Sequence, residues 1–230
     1  AKKVDMRWEE RAKGDECRSR LVLRDYNKGH LDEMFAATPT SVGLQLLMII
    51  SSALGLDAMV GDLNCGFMHA EPSEPIYAKP PPDAYLYDPD IKKDTWWKCK
   101  KALNGGRTAL KDFNEWFGKQ LEAIGFKRLR VDSQMFVNPE TGVFFHVHVD
   151  DPFAVGKKEA LRATFKELSK RMLIRYGDVV QVGEKVKHLG DEYEKTEKGW
   201  IQRPAAGYVE NTLKLVNMEK CNPSNVVGTD

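Results

Sequence analysis

Residues 132–156 read DSQMFVNPETGVFFHVHVDDPFAVG. Two apolar runs lie in this stretch, Val143–Val149 and Phe153–Val155, rich in the β-branched and aromatic side chains that suit a pleated, half-buried surface. Asp150 and Asp151 stand between them. The pattern predicts two antiparallel strands joined by a sharp connection that carries both carboxylates.

Helical spacing flanks this hairpin on both sides. Downstream, Leu161, Phe165, Leu168 and Met172 recur three or four apart and predict a helix over Glu159–Met172. Upstream, Phe113, Trp116, Phe117, Leu121 and Ile124 predict a helix over Leu110–Ile124, stopped by Gly125. The two aromatic neighbours Trp116 and Phe117 read as core packing rather than base-stacking groups. Leu44, Leu47, Ile50 and Leu54 predict a third helix over Val42–Leu54, followed by a bend at Gly55 and a short run Leu56–Val60 that leads into Gly61-Asp62-Leu63.

Residues 71–95 hold the Pro80-Pro81-Pro82 cluster with many acids and tyrosines, which predicts an irregular connection around one short strand, Ile76–Ala78. Residues 1–30 are polar and basic, with a strand-like run at Arg20–Leu23. After Gly183 short strand-like pieces alternate with glycines before a last helix near Tyr208–Val216. This order predicts an α+β fold, an antiparallel sheet backed by helices.

Composition narrows the class. An apolar fraction of 42% with 30% charged residues is that of a globular protein and excludes a disordered chain. The longest apolar run, around Leu44–Ala53, is broken by Gln45 and two serines and is too short and polar for a membrane span. Lys2, Lys3 and Asp5 are followed by no hydrophobic stretch, so no secretory signal is read there. Cys17, Cys65, Cys99 and Cys221 are scattered without a CxxC pair, which argues against a zinc knuckle and leaves a reducing, intracellular setting as the expectation. The net charge of +1 does not by itself point to nucleic acid. Local clusters do leave room for a composite basic groove: Arg18/Arg20/Arg24, Lys98/Lys100/Lys101, Arg107/Lys111 and Lys127/Arg128/Arg130.

The chemistry rests on carboxylates. Asp150 and Asp151 are adjacent like charges flanked by apolar residues, a setting that calls for water or a cation. Mg²⁺ suits such oxygen donors, and two-metal phosphoryl transfer needs a third ligand, for which Asp62 is the candidate. Two other readings stand beside this one. An acidic pair in a turn is commonly just solvated. His146, His148 and Asp150, two apart on one strand, could share a face as transition-metal ligands.

Taken in order, several segments resemble the reverse transcriptases of copia-type retroelements. RSRLVLRDYNKG (18–29) is similar to their opening fingers segment, and DEMFAATPTSVGLQLLMIISSALG (32–55) to the next segment and first palm helix. GDLNCGFMHAEPSEPIYAKPPP (61–82) is the strongest match, and KALNGG (101–106) with the helix ending in GFKR (125–128) matches a later landmark. The hairpin quoted above follows, and KHLGDEYEK, GWIQRPAAGYVENTL and MEKCNP continue the order.

The resemblance implies a right-hand polymerase with fingers-like 1–60 and 71–110, palm-like 61–70 and 111–182, and a C-terminal connection 183–230, as one domain over 1–230. It implies RNA-directed DNA polymerisation, with Asp62, Asp150 and Asp151 holding Mg²⁺ or Mn²⁺. Arg18, Arg20 and Arg107 would meet nucleotide phosphates, and Phe67 would exclude a ribose 2′-OH. The partners implied are an RNA template, a primer or hybrid, and deoxynucleoside triphosphates.

The chain also departs from the family. His148 stands where a tyrosine is usual, Pro152 follows the aspartate pair, and Thr108 and Leu110 replace a glutamine and a proline in the nucleotide loop. These departures keep two alternatives open. One is a retroelement-derived domain recruited as a structural or interaction subunit among the proteins of a larger assembly; the other is an RNA-holding module without turnover.

Overall fold

The computed structural model describes residues 1–26, 41–92, 94–205 and 207–221. Residues 27–40 and 222–230, parts of the fingers-like and C-terminal segments named above, lie outside them. The chain divides into two compact units, Ala1–Val179 and Val180–Asp230.

The first unit opens with a long hairpin, β1 (Lys2–Lys13) and β2 (Glu16–Arg24), turned by Gly14 at φ 61° and Asp15. Sequence reading reached only Arg20–Leu23 of it. Next come α1 (Ser41–Leu54), β3 (Asp57–Leu63) and a 3-10 turn, Gly66–His69. The proline-rich connection holds β4 (Ile76–Lys79), the single-turn α2 (Ala84–Tyr87) and β5 (Trp97–Lys98). Then follow α3 (Ala109–Glu122), β6 (Lys127–Arg128), β7 (Met135–Asn138), β8 (Val143–His148), β9 (Asp151–Gly156), α4 (Lys158–Ser169) and β10 (Ile174–Tyr176).

Two sheets form. The smaller has the order β2-β1-β4-β5 and a modest core of Val4, Met6, Leu23, Ile76 and Ala78. The larger, β10-β3-β9-β8-β7-β6, is antiparallel throughout. Successive strand residues face opposite ways, so each face of this sheet has its own cover. Met59, Phe145, Val147 and Ala154 meet Phe113, Phe117 and Leu121 of α3 and Leu161, Phe165 and Leu168 of α4, all buried. Trp116 and Ile124 pack partly buried against that core, in keeping with a packing role.

On the opposite face α1 lies on β8 and β9, and a side chain at Gly43 would run into the His146 ring and the Asp132 carboxylate 2.9 Å away. That close approach needs glycine. The stripe read on α1 is rotated: Leu44, Leu47, Met48 and Ser51 are buried, whereas Leu54 is 62% exposed. The Ser51 hydroxyl donates to the Leu56 carbonyl at 2.7 Å, so this polar group is satisfied inside the fold.

The second unit contains β11 (Lys185–His188), β12 (Asp191–Thr196) and β13 (Gly199–Arg203), paired antiparallel in that order, and α5 (Tyr208–Leu215). Among the described residues of the chain, no helix is long and apolar enough to cross a membrane.

Candidate functional site

The β8–β9 hairpin closes at the pair His148↔Asp151, leaving Val149 and Asp150 as a two-residue turn. Val149 sits at φ 52°. A β-branched residue is poorly suited to that left-handed region, and such positions cost on the order of 1–3 kcal/mol. The turn is nonetheless fastened from outside. Leu63 N–H donates to the Asp150 carbonyl at 2.8 Å, and a side chain at Gly66 would reach within 3.2 Å of Asp150 Cβ.

Register then brings distant carboxylates together. β3 pairs with β9 from Asp57↔Gly156 to Val60↔Phe153. Continued at the same register, this pairing sets Asp62 opposite Asp151, and the Leu63–Asp150 bond keeps that register. Asp62 also faces Arg175 on β10. Directly opposed residues of antiparallel strands share a face, with Cβ atoms about 4.5–5.5 Å apart. One row therefore crosses the sheet: Arg175, Asp62, Asp151, His148.

Pro152 lies inside β9 rather than ending it. It has no N–H to give to the ladder. The β3–β9 pairing stops at Phe153, the residue after it, and contact resumes at Asp150.

Electrostatics agree with this placement. Burial, followed by the charges of Asp150 and Asp62, pushes the Asp151 carboxyl above its ordinary value, while His148 draws it down. Three crowded carboxylates have the oxygen-donor chemistry of a hard divalent cation. Among the described residues, however, no three His, Cys, Asp or Glu side chains stand in an arrangement that would hold a metal ion. The His146/His148/Asp150 reading needs correcting. Asp150 falls in the turn rather than on the strand, and His146 is 1% exposed beneath α1.

The remaining residues divide between places. Phe67 lies in the 3-10 turn and meets Phe113 edge to face at 5.8 Å, half-buried beside the core. Arg18 and Arg20 are exposed on β2 and line a cleft of about 250 Å³ with Arg11 and Asn104. Arg107 lines a different cleft, of about 470 Å³, with Lys2, Lys3 and Arg24. The Arg107 backbone N–H donates to Asp25 at 3.0 Å, and Asp25 also takes the Lys2 ammonium at 2.6 Å. Thr108 precedes α3 and makes no side-chain cap. Sequence reading missed Arg175 and Arg11. Arg175 stands in the three-residue β10 and Arg11 in the charged end of β1, and only strand pairing reveals their neighbours.

Curated proteins give no match. Among solved structures, an apo telomerase from Candida tropicalis, truncated from its C-terminal domain, is similar at 8% identity and a TM-score of 0.47. That match covers 86% of this chain and 55% of the other. A telomerase from Candida albicans, in complex with a fragment of telomeric RNA, is similar at 9% identity and a TM-score of 0.46, covering 94% and 50%. The chain thus spans about half the length of these structures. Over residues 1–228 the sequence matches the family described as reverse transcriptase (RNA-dependent DNA polymerase), and the chain belongs to that family, in its copia-type branch.

Proposed function

We propose that the chain is the fingers and palm of an RNA-directed DNA polymerase, with Asp62, Asp150 and Asp151 as its catalytic carboxylates. The observation that carries this reading is the cross-strand row that sets Asp62 opposite Asp151, with Asp150 held beside them by Leu63. A fold gains nothing in stability from bringing three carboxylates together, and the Asp151 carboxyl is raised first by its burial and then by the charges of Asp150 and Asp62.

In this reading the three aspartates would hold Mg²⁺ or Mn²⁺. When bound, such cations supply Lewis acidity for the primer 3′-OH and neutralise the departing pyrophosphate. The chain's own groups do the rest. Arg18 and Arg20 offer guanidinium forks to phosphate oxygens, and Arg107 adds a further cation. Phe67, anchored on Phe113, excludes a 2′-OH by bulk. Template, primer and deoxynucleoside triphosphate are the substrates.

Primer extension on an RNA template with Mg²⁺ or Mn²⁺ tests the proposal. Extension is expected, with Asp150→Asn lowering it on the order of 10²–10³-fold, the usual loss when a charge-stabilising group is removed from a reacting centre. A folded protein that extends nothing would sink it. One observation favours a second reading, a recruited structural or interaction subunit: Pro152 interrupts the β3–β9 ladder beside the acidic turn.

A further inference from the structure

Proline chemistry makes a second site in the smaller sheet. β4 pairs with β1 only from Lys2↔Ile76 to Asp5↔Lys79, because Pro80 and the prolines after it cannot continue the ladder. β2 accompanies β1 on its other side through to Lys13↔Glu16. Beyond Asp5, then, one flank of β1 loses its neighbouring strand and opens into a cavity of about 680 Å³. That volume falls within the range of small-molecule sites, about 300–1,000 Å³.

The walls of the cavity differ in chemistry. Met6, Pro80, Tyr85 and Ile91 supply flat apolar surface. A row set by register also lines the cavity: Arg24 opposite Asp5 on one side, and Asp5 opposite Lys79 on the other. The row carries two cations and one carboxylate. No hydrogen bond or ion pair engages the Lys79 ammonium among the described residues. The Arg24 guanidinium gives its Nε to Tyr26 at 3.4 Å and lies over the Tyr26 ring, so it borders this cavity as well as the cleft of about 470 Å³. The far wall is tied down, since Trp8 Nε1 donates to Asp83 at 2.7 Å, beside α2. A site held in shape before binding loses less on ordering.

We infer that this cavity binds a small ligand with a flat aromatic ring, hydroxyl donors and a single terminal anion, the chemistry of a nucleoside monophosphate. The ring lies against Tyr85 and the prolines, the anion on the Lys79 ammonium at the edge of the row, and Asp5 accepts from a hydroxyl. The site is separate from the aspartate row and needs neither metal nor polymerase chemistry.

The test is calorimetric titration of adenosine 5′-monophosphate into the full chain in EDTA, repeated on Asp150→Asn protein. Saturable one-to-one binding is expected, the same in both proteins. Adenosine and inorganic phosphate alone should each bind at least tenfold more weakly. Lys79→Ala and Tyr85→Leu should each weaken binding at least fivefold, with unchanged thermal unfolding showing that both variants fold. Phosphate binding as tightly as the nucleotide would overturn the site, as would insensitivity to Lys79→Ala or the absence of saturation. Binding lost in Asp150→Asn would assign the nucleotide to the aspartate row instead. Because metal and extension play no part, failure here leaves the polymerase reading untouched, and failed extension leaves this site standing.

Discussion

The two sheets of the first unit are built from the same chain on different principles. The six-stranded sheet is gripped on both faces, and its centre is a stack of phenylalanines: Phe113, Phe117, Phe145 and Phe165 are all 0–1% exposed. The four-stranded sheet has a small aliphatic core on one face. Its other face carries cross-strand charges, such as Glu9↔Arg20 and Arg11↔Arg18. Burial fixes geometry in the first. In the second, backbone pairing fixes it and leaves charged side chains in water. A reacting centre needs carboxylates held within fractions of an ångström, whereas phosphate contacts tolerate long, compliant side chains. Under the proposed function the acids and the cations therefore stand in the sheets that suit them.

The largest expected effect breaks that contrast directly. Phe145→Ala should cost about 3–5 kcal/mol, because the ring is enclosed by Phe126 at 5.5 Å and Phe165 at 5.4 Å and its cavity cannot collapse. Ile76→Ala, in the smaller core, should fall near the low end of about 2–5 kcal/mol. Urea unfolding followed by tryptophan fluorescence gives both numbers. Equal losses would mean that the two sheets are equally rigid and the contrast false.

Asp25→Ala probes what holds the smaller sheet to the loop before α3. Its carboxyl side chain is 3% exposed and serves both Lys2 and the Arg107 amide. Losing two charge-assisted hydrogen bonds should cost about 1.5–3 kcal/mol, partly recovered in Asp25→Asn, which keeps an acceptor for the amide. A change below about 0.5 kcal/mol, the range of ordinary surface substitutions, would mean that the loop is held by other contacts.

How much of this was legible in the sequence follows the same divide. The hairpin around Asp150 and the helices α3 and α4 were readable because large apolar residues repeat at the period of their element. The β1 signal was weaker but present: Val4, Met6 and Trp8 alternate with Lys3, Asp5 and Arg7 before the pattern dissolves into Glu9-Glu10-Arg11. On α1, Ile50 and Leu54 fit a helical stripe as well as Met48 and Ser51 do, and only the approach of Gly43 to His146 sets the rotation. The three aspartates could be named from the family resemblance. That Asp62 faces Asp151 could not be, since it depends on pairing residues 57–60 with 153–156, nearly a hundred positions apart. The Arg175 end of the row was hidden for the same reason.

Val149 offers a smaller test, on the cost of building the acidic turn. At φ 52° a valine is strained, whereas asparagine enters this region readily. Val149→Asn should stabilise the protein by about 1 kcal/mol in chemical denaturation. No gain would mean that the turn's backbone relaxes in solution and that Asp150 is held less firmly than the Leu63 bond implies.

The smallest effect concerns Asp151 itself, and its sign is diagnostic. Its carboxyl is raised by burial and by Asp150 and Asp62, so the folded state holds the proton more tightly than the unfolded chain does. The stability this contributes is fully present below the unfolded value, about 3.9, and is lost as pH rises through the higher folded value. At neutral pH, in EDTA, Asp151 is therefore a charge that the fold would be more stable without. Asp151→Asn should raise the melting temperature at pH 7. The advantage should shrink toward zero as pH falls below about 4. Added Mg²⁺ should narrow the same gap at pH 7 by stabilising only the parent. A parent protein that is more stable than the variant at pH 7 without metal would mean that the aspartates repel too weakly to form one site, and the row across the sheet would then be a matter of register alone.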